Sequence, residues 1–235
     1  MFSRSADLYD PLYATFKDYP AEVERLRELI GGRQTLLDVA CGTGKHLELL
    51  REHYDVAGLD LDPELLAIAR ERLPGVELYE GDMTDFELGR RFDVVTCLFS
   101  SIGYVLTVER LHDAIAAMAR HLEPGGLLVV EPWLRPEAWE DDHVSMLVVD
   151  EPKRKIVRMS RPGRHGNASA IEFHYLVATP RAAQHFVERH ELGLFSRADM
   201  QGALRGQGGL TVSYEETDIF DRGLYVGVRT ANGAA

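Results

Sequence analysis

The sequence has few cysteines and no long apolar segment. Its 235 residues include only two cysteines, Cys41 and Cys97, and both lie in short apolar runs. Two cysteines cannot form the disulfide framework of a small secreted protein, so we interpret them as buried apolar residues. The longest apolar runs, 94–99 and 126–130, are far shorter than the roughly 20 residues of a membrane span. Residues 1–7 also lack the apolar core of a signal peptide, and we therefore expect a soluble, cytoplasmic protein.

Positive charge is also scarce. Twenty-six lysines and arginines stand against 38 aspartates and glutamates, which gives a formal net charge of -12. Such a surface repels polyanions, and no lysine or arginine tract provides a local exception. We therefore do not expect DNA or RNA as a substrate. A small anionic substrate remains compatible with this charge, because a few locally placed arginines are enough to bind phosphate oxygens.

Two kinds of catalytic arrangement are missing from the pattern. No grouping of serine or cysteine with histidine indicates a nucleophile, and no cluster has the spacing of metal ligands. The histidines of the second half, His165, His174, His185 and His190, are not paired in a ligand-like way. We interpret them as surface or interface residues, and we predict no metal site.

What the sequence does contain is an alternation of short apolar strands and helices from residue 21 to residue 131. Helices are expected between the strands, including one that Pro63 opens and one that Thr107 caps. Continuous apolar strands joined by helices predict a parallel sheet that is covered on both faces. The predicted strands cover residues 35–40, 55–61, 76–79, 92–99 and 127–131.

Beyond Trp139 the pattern changes to strands without intervening helices. Strands at 145–149, 156–160, 170–178 and 184–194 indicate antiparallel pairing. A helix over 197–205 and strands at 210–214 and 224–229 then complete the main sheet with a terminal hairpin. We therefore predict an α/β domain formed by residues 1–139 and 195–235. A small antiparallel sheet, residues 140–194, is inserted into it and covers the substrate cleft.

The strongest signal for a ligand is LDVACGTGK, residues 37–45, which follows the first strand and opens a helix. Gly42 and Gly44 let the backbone turn sharply and approach a ligand closely. A dinucleotide-binding fingerprint would have a third glycine where Leu47 stands, and no Gly-Lys-Ser/Thr of a P-loop follows. Asp38, four residues before Gly42, suits a ligand with an ammonium group better than a phosphate.

Acidic residues after the next two strands agree with this interpretation. Asp60 ends the second strand, where a carboxylate can accept hydrogen bonds from ribose hydroxyls, and we expect its neighbour Asp62 to face solvent. Asp82 and Met83 follow the third strand and suit the amino group and the face of an adenine. Each element alone could be a turn or a helix cap, but the three in this order predict one ligand.

These elements resemble the class I S-adenosylmethionine-dependent methyltransferase family over most of residues 34–135. The resemblance implies a Rossmann-like sheet, mostly parallel with a terminal antiparallel hairpin, and S-adenosylmethionine as the cofactor. It also implies which residues contact the cofactor, from its methionine end through the ribose to the adenine. They are Asp38, Ala40, Gly42, Gly44, Leu98, Asp60, Asp82 and Met83.

Two segments at the carboxyl ends of strands predict where an acceptor binds. SSIGY, residues 100–104, follows the fourth strand, and EPW, residues 131–133, follows the fifth. Their aromatic residues, Tyr104 and Trp133, could otherwise pack beneath the inserted sheet.

Together with EFHY (172–175) and RGL (222–224), these segments resemble the N,N-dimethyltransferases that act on nucleotide-linked amino sugars. Those enzymes contribute to the dimethylamino sugars of antibiotics. The resemblance runs nearly end to end and includes ADLYD (6–10) and KDY (17–19). The chain departs from it at Leu134, where close relatives often have a second tryptophan, so the identity of the sugar stays open.

This second resemblance implies further site residues. Tyr9 and Tyr19 are expected on the cofactor side, Trp133 and Arg158 in the sugar-nucleotide cleft, and Arg222 near the diphosphate. Arginine suits that last role because its planar fork binds phosphate oxygens.

The implied reaction needs little beyond positioning. A methyl group on a sulfonium is already activated, and placing a neutral amine in line with it can lower the barrier by about 7–11 kcal/mol. Tyr104 and Glu131 are the polar groups that we expect nearest to the amine, where they orient it or accept its proton.

We therefore expect an N-methyltransferase that acts on the amino group of a TDP-linked deoxy amino sugar, with two successive transfers. A homodimer is compatible with this expectation, and no membrane partner is expected. The nearest alternative is another small-molecule N- or O-methyltransferase. An alternative of a different class is a non-catalytic S-adenosylmethionine-binding protein, which should lack the acceptor cleft that residues 100–104 and Trp133 predict.

Overall fold

The computed structural model describes residues 4–230, which contain the helices and strands of two sheets. The helices are α1 (Ala6–Tyr13), α2 (Tyr19–Ile30), α3 (Lys45–Leu50), α4 (Pro63–Arg72), α5 (Val108–Arg120) and α6 (Arg197–Arg205). The strands of the larger sheet are β1 (Thr35–Val39), β2 (Asp55–Asp60), β3 (Glu77–Glu80), β4 (Phe92–Cys97), β5 (Leu122–Val130), β10 (Leu210–Glu215) and β11 (Leu224–Arg229). The strands of the smaller sheet are β6 (Ser145–Glu151), β7 (Arg154–His165), β8 (Ala168–Ala178) and β9 (Ala183–Gly193).

The larger sheet has the strand order β10-β11-β5-β4-β1-β2-β3. Strands β1 to β5 run parallel to one another, while β11 lies antiparallel to β5 and β10 antiparallel to β11. The predicted Rossmann-like sheet with a terminal antiparallel hairpin is thus confirmed. The chain order reverses at β1, which has β2 on one side and β4 on the other, and such a reversal leaves a crevice for ligands at the carboxyl ends of the strands.

The smaller sheet is antiparallel, with the order β6-β7-β8-β9. Strands β6, β7 and β8 are longer than predicted, most clearly β7, which continues through Pro162 and Gly163 to His165. Strand β9 has the predicted length and begins one residue earlier. Residues of low strand propensity ended the prediction at Ser160. The division into domains 1–139 with 195–235 and 140–194 stays a prediction, and its residues 1–3 and 231–235 lie outside the described residues.

Side-chain caps explain where several helices begin. Pro63 opens α4, and Asp62, which is partly exposed, accepts hydrogen bonds from the backbone of Glu64 and Leu65, so the residue expected to face solvent also caps this helix. Thr107 caps α5 as predicted. Capping satisfies backbone N–H groups that have no partner within the helix.

Helix α1 was not predicted, and it joins the two sheets. Its Leu8 and Leu12 are buried in one cluster with Ile156 and Tyr175 of the smaller sheet. Its Ala6 is buried in a separate cluster with Leu65 of α4, the helix between β2 and β3 of the larger sheet. A helix of eight residues with a proline inside has little intrinsic stability, so tertiary packing must stabilise it.

The ends of two strands differ from the prediction. Strand β4 ends at Cys97, because Phe99 and Ser100 have φ angles of 52° and 60°, in the left-handed region. Strand β5 begins at Leu122, which pairs with Phe92 before a register shift. Within residues 4–230, none of the helices has the length and apolar character that crossing a membrane requires.

Candidate active site

A cavity of about 770 Å³ lies where the parallel strands end, between the larger and the smaller sheet. Its walls come from α1, from the loops that follow β1 to β5, and from β6 to β9. A second, small cavity shares Tyr9, Ala40, Phe99 and Ser101 with the large one. Eleven of the predicted site residues line the large cavity: Tyr9, Ala40, Gly42, Asp60, Asp82, Met83, Tyr104, Glu131, Trp133, Arg158 and Arg222.

The glycine-rich loop turns sharply between β1 and α3. Ala40, Gly42 and Gly44 have φ angles of 59°, 56° and 76°, and the N–H of Gly42 donates a 2.7 Å hydrogen bond to Asp60. The left-handed φ of Gly44 favours glycine, and a Cβ atom there would also have to displace Leu73 Cδ1, at 2.6 Å. Gly44 lines neither cavity, unlike Gly42.

The small cavity brings together Asp38, Leu98, Tyr9 and Tyr19. Asp38 is only 2% exposed and accepts a 2.7 Å hydrogen bond from the hydroxyl of Thr96. Burial raises the pKa of Asp38 to about 6, because desolvation disfavours the carboxylate. An ammonium group beside it would restore the charged form.

A cluster of charged residues that the sequence analysis missed stands next to this cavity. Glu22 is buried, forms an ion pair with Lys17 and accepts a 2.8 Å hydrogen bond from His46. The Lys17 ammonium lies 4.3 Å from the centre of the Phe99 ring. Although burial raises the pKa of Glu22, His46 and Lys17 outweigh it and lower that pKa overall. The only signal for this cluster in the sequence was the KDY segment (17–19), which contains Lys17.

Helix α1 is tied to the glycine-rich loop by polar contacts. Asp10 accepts a 2.6 Å hydrogen bond from the Thr43 hydroxyl and pairs with Arg72 of α4. The same Arg72 guanidinium donates to the backbone carbonyl of Thr43. These contacts hold Tyr9, the residue before Asp10, over the loop.

Asp60 already has two backbone partners. One oxygen accepts from Gly42, and the other accepts a 2.8 Å hydrogen bond from the N–H of Asp62. Burial raises the pKa of Asp60. Each carboxylate oxygen has a further lone pair, so Asp60 can position the loop and still accept hydrogen bonds from a ligand.

The third strand ends in a polar and an apolar group on the cavity wall. Asp82 accepts hydrogen bonds from Thr84 and, at 2.9 Å, from Arg110. Met83 lines the same wall, as does Leu61, which the sequence analysis did not select and which is 51% exposed. The signal in the sequence that could have identified Leu61 is its position directly after Asp60, the predicted ribose carboxylate.

Glu131 connects the two predicted acceptor segments. It is 2% exposed, and one oxygen accepts a 2.6 Å hydrogen bond from the N–H of Phe99. The other oxygen lies 3.8 Å from the Arg222 guanidinium, and burial raises the pKa of the carboxyl. Ser100 donates a 2.7 Å hydrogen bond to the carbonyl of Pro132, so both strand ends are held together.

Two arginines border the cavity near Trp133. The Arg222 guanidinium lies 4.7 Å from the Trp133 ring centre, and its buried Nε has no hydrogen-bond partner within residues 4–230. Arg158 is 8% exposed and lies over the rings of Phe173 and Tyr13, at 4.4 and 5.2 Å. No carboxylate of the described residues pairs with Arg158. Such arginines retain hydrogen-bonding capacity for an anion.

Tyr104 contacts a histidine that the sequence analysis interpreted as a surface or interface residue. The Tyr104 hydroxyl lies 2.8 Å from Nδ1 of His190, and His190 is only 2% exposed. The surface alternative of that interpretation is therefore wrong for His190, because it occupies an inward-facing position of β9. Within residues 4–230, no group of three or more potential ligands is placed to hold a metal ion.

Comparisons with known proteins agree with this geometry. Residues 36–126 match a family model described as a methyltransferase domain. The chain is 46% identical to the dTDP-3-amino-3,4,6-trideoxy-alpha-D-glucopyranose N,N-dimethyltransferase of Streptomyces venezuelae, over 95% of this chain and 97% of that protein. It is 41% identical to the dTDP-3-amino-3,6-dideoxy-alpha-D-glucopyranose N,N-dimethyltransferase of Streptomyces fradiae, over 97% of this chain and 92% of that protein.

Solved structures give the same result. The crystal structure of DesVI from Streptomyces venezuelae superposes with a TM-score of 0.90 at 45% identity, covering 96% of this chain and 98% of that one. The S-adenosylmethionine-bound amino pentose methyltransferase CalS10 from Micromonospora echinaspora superposes with a TM-score of 0.87 at 39% identity, covering 95% and 97%. This chain therefore belongs to the class I S-adenosylmethionine-dependent methyltransferases, in the family of the nucleotide-linked amino-sugar N,N-dimethyltransferases.

Proposed function

We propose that this enzyme transfers two methyl groups in succession from S-adenosylmethionine to the amino group of a TDP-linked deoxy amino sugar. The observation that carries the proposal is Arg158, a buried guanidinium without a carboxylate partner in the described chain, on the same cavity as the glycine-rich loop. The relatives named as dTDP-amino-sugar N,N-dimethyltransferases support this substrate class. The product would be a dimethylamino sugar of the kind that antibiotics contain.

The residues around the loop fit the cofactor. A buried carboxylate, Asp38, suits an ammonium group, and Asp60 has lone pairs left for ribose hydroxyls. Leu61 and Met83 offer apolar contacts for an adenine ring, and Asp82 offers an acceptor for its amino group. When bound, S-adenosylmethionine supplies an activated methyl group. We assign Tyr9, Tyr19, Ala40, Gly42 and Leu98 to the walls around its methionine end.

Cofactor binding should depend on the ionisation of Asp38. The pKa of Asp38 in the free protein is raised to about 6, and an ammonium partner favours the carboxylate, which lowers that pKa in the complex. Affinity for S-adenosylhomocysteine should therefore be constant above the free pKa. Below it, affinity should fall by up to about tenfold per pH unit. Calorimetric titration between about pH 8 and pH 5 measures this effect.

Asp38→Asn is the matched variant, because its amide oxygen can still accept from Thr96. It should bind S-adenosylhomocysteine more weakly and with a flatter pH profile. A wild-type dissociation constant that stays the same across this pH range would remove Asp38 from the ammonium role.

The two arginines should bind the diphosphate. A charge-assisted hydrogen bond contributes about 1.5–3 kcal/mol, so Arg158→Gln or Arg222→Gln should raise the KM for the sugar nucleotide by about ten- to a hundredfold. Affinity for S-adenosylhomocysteine should change little. Steady-state kinetics with varied sugar nucleotide, together with inhibition by TDP, separates the two effects.

Arg161→Gln provides the control for Arg158. It lies three positions along β7, on the outer face of the sheet, and its side chain is 71% exposed. An Arg158→Gln enzyme whose KM and TDP inhibition match those of Arg161→Gln would show that Arg158 does not bind the diphosphate.

The proposed second transfer has a physical basis in how the substrate is anchored. Arginines that hold the nucleotide end leave the amino end free to rotate between the two transfers, so a monomethylamine can present its lone pair again. Spent cofactor must leave before the second transfer. A monomethyl species should therefore accumulate early and then decline, as mass spectrometry of a time course with excess S-adenosylmethionine would detect. A reaction that stops after one methyl group, while the enzyme is still active, would identify a monomethyltransferase.

We also propose a homodimer through the outer face of the smaller sheet. This face has exposed apolar side chains on neighbouring strands: Met146, Val148, Met159, Leu176 and Val187. Two ion pairs flank them, Asp150 with Lys155 and Arg161 with Glu172, so both charges are present at the edge of this face. A second copy of this chain is the occupant that we propose. A surface with an apolar centre and equal numbers of positive and negative side chains at its edge is complementary to itself, even in a chain whose net charge is -12.

The oligomeric state tests this contact. Size-exclusion chromatography with light scattering should give twice the chain mass for the wild type, and Leu176→Asp should shift it toward the monomer by burying a charge in the interface. Val228→Asp, a similarly exposed apolar position on β11, should leave the mass unchanged. A wild-type monomer at high concentration would contradict the proposal.

A further inference from the structure

A chain of three polar side chains extends from the cavity wall into the smaller sheet. Tyr104 lines the cavity, and its hydroxyl lies 2.8 Å from His190 Nδ1. On the other side of the ring, His190 Nε2 lies 3.8 Å from a carboxylate oxygen of Glu188. Glu188 and His190 are two residues apart on β9, so their side chains share one face of the strand.

The far end of this chain is fixed by the segment that precedes α1. Glu188 is 8% exposed. Its carboxylate accepts a 2.9 Å hydrogen bond from the N–H of Arg4 and a 2.5 Å hydrogen bond from the Ser5 hydroxyl. Ser5 is itself buried. The carboxylate therefore has a defined position, and it can only accept hydrogen bonds when it is ionised.

The environment of His190 determines which of its nitrogens carries a proton. Burial lowers the pKa of His190 well below its usual value, so the ring is neutral near pH 7 and has one donor and one acceptor nitrogen. The negative charge of Glu188 near Nε2 favours the proton on Nε2. Nδ1 then has a lone pair, and the Tyr104 hydroxyl must be the donor in the 2.8 Å contact.

We propose that His190, whose tautomer is set by the charge of Glu188, is a positioning residue that fixes the Tyr104 hydroxyl so that its oxygen accepts a hydrogen bond from the acceptor amine. Because the Tyr104 proton points to His190, both lone pairs of the phenol oxygen are left for the cavity. An amine that donates one N–H to this oxygen is held with a fixed orientation of its own lone pair. Neither Tyr104 nor His190 changes its protonation state.

This arrangement also has a consequence for the number of transfers. A primary amine and a monomethylamine each have an N–H for Tyr104, whereas a neutral dimethylamine has none. Each transfer first gives an ammonium ion, and its proton leaves to water, since neither Tyr104 nor His190 takes it. Once the dimethylammonium has lost that proton, the final product has no N–H for Tyr104 and loses this hydrogen bond, which favours its release. The inference rests on the proposed function, since it concerns the same amine.

A double-mutant cycle tests whether His190 acts through Tyr104. His190→Leu removes the acceptor nitrogen and should lower kcat about tenfold, the value of one neutral hydrogen bond. The KM for the sugar nucleotide and the affinity for S-adenosylhomocysteine should stay near wild type. In a Tyr104→Phe background, His190→Leu should cause no further loss, because the hydroxyl that it positions is already absent.

Two further variants separate positioning from packing. His190→Asn keeps a side-chain oxygen near the Nδ1 position and should recover most of kcat. Glu188→Gln presents an amide donor toward Nε2, which favours the proton on Nδ1 and should lower kcat as His190→Leu does. His165→Leu, an exposed histidine of the same sheet, is the control that should leave kcat unchanged, and thermal melting checks that each variant folds.

Nitrogen NMR of histidine-labelled wild-type protein gives an independent readout. The shifts of His190 should report a neutral ring with the proton on Nε2. A proton on Nδ1, additive losses in the double variant, or a His190→Asn enzyme as slow as His190→Leu would each overturn the inference. A wild-type enzyme that methylates no TDP-amino sugar would overturn the proposed function, whereas an active wild type with additive losses would overturn only the role of His190.

Discussion

The hydrogen bond from the N–H of Gly42 to Asp60 joins the ends of two neighbouring parallel strands. It holds the loop after β1 in a left-handed turn, which L-residues such as Ala40 adopt only when the surroundings enforce it. With the loop held there, the carboxyl ends of β1 and β2 form one wall of the cavity. Asp38 is buried below this wall, because β1 has β2 and β4 on its two sides. The raised pKa of Asp38 is thus a consequence of the fold.

Helix α1 encloses this wall from the other side. Its Asp10 pairs with Arg72 and accepts from Thr43, while its Leu8 and Leu12 pack under the smaller sheet. The same short segment therefore connects the loop to the sheet that supplies Arg158 and His190. The N–H of Arg4 and the Ser5 hydroxyl, just before the helix, fix Glu188. Cofactor loop and acceptor wall are consequently linked through residues that lie far apart in sequence.

Sequence patterns predicted the elements whose stability is local or whose burial is uniform. The apolar strands and the capped helices α4 and α5 were predicted close to their observed bounds, and the order of Asp38, Asp60 and Asp82 predicted one site. Helix α1 was missed because its stability comes from tertiary packing. The role of His190 was missed because its burial depends on which face of β9 is covered. Leu61 was missed because only the folded structure shows that this exposed side chain lines the cavity.

A protein with a net charge of -12 should repel a diphosphate at long range, so binding requires local positive charge. Long-range repulsion is screened over about 8 Å at physiological ionic strength, whereas a partly desolvated guanidinium acts at contact distance in a lower dielectric. Arg158 is kept from carboxylates by the aromatic rings of Tyr13 and Phe173, which stabilise the cation without neutralising it. Arg222 is supported in the same way by Trp133 and shares the carboxylate of Glu131 only at 3.8 Å. Aromatic neighbours, with no carboxylate paired to Arg158 among the described residues and only the 3.8 Å contact of Arg222 with Glu131, thus leave positive charge available at one place on an acidic protein.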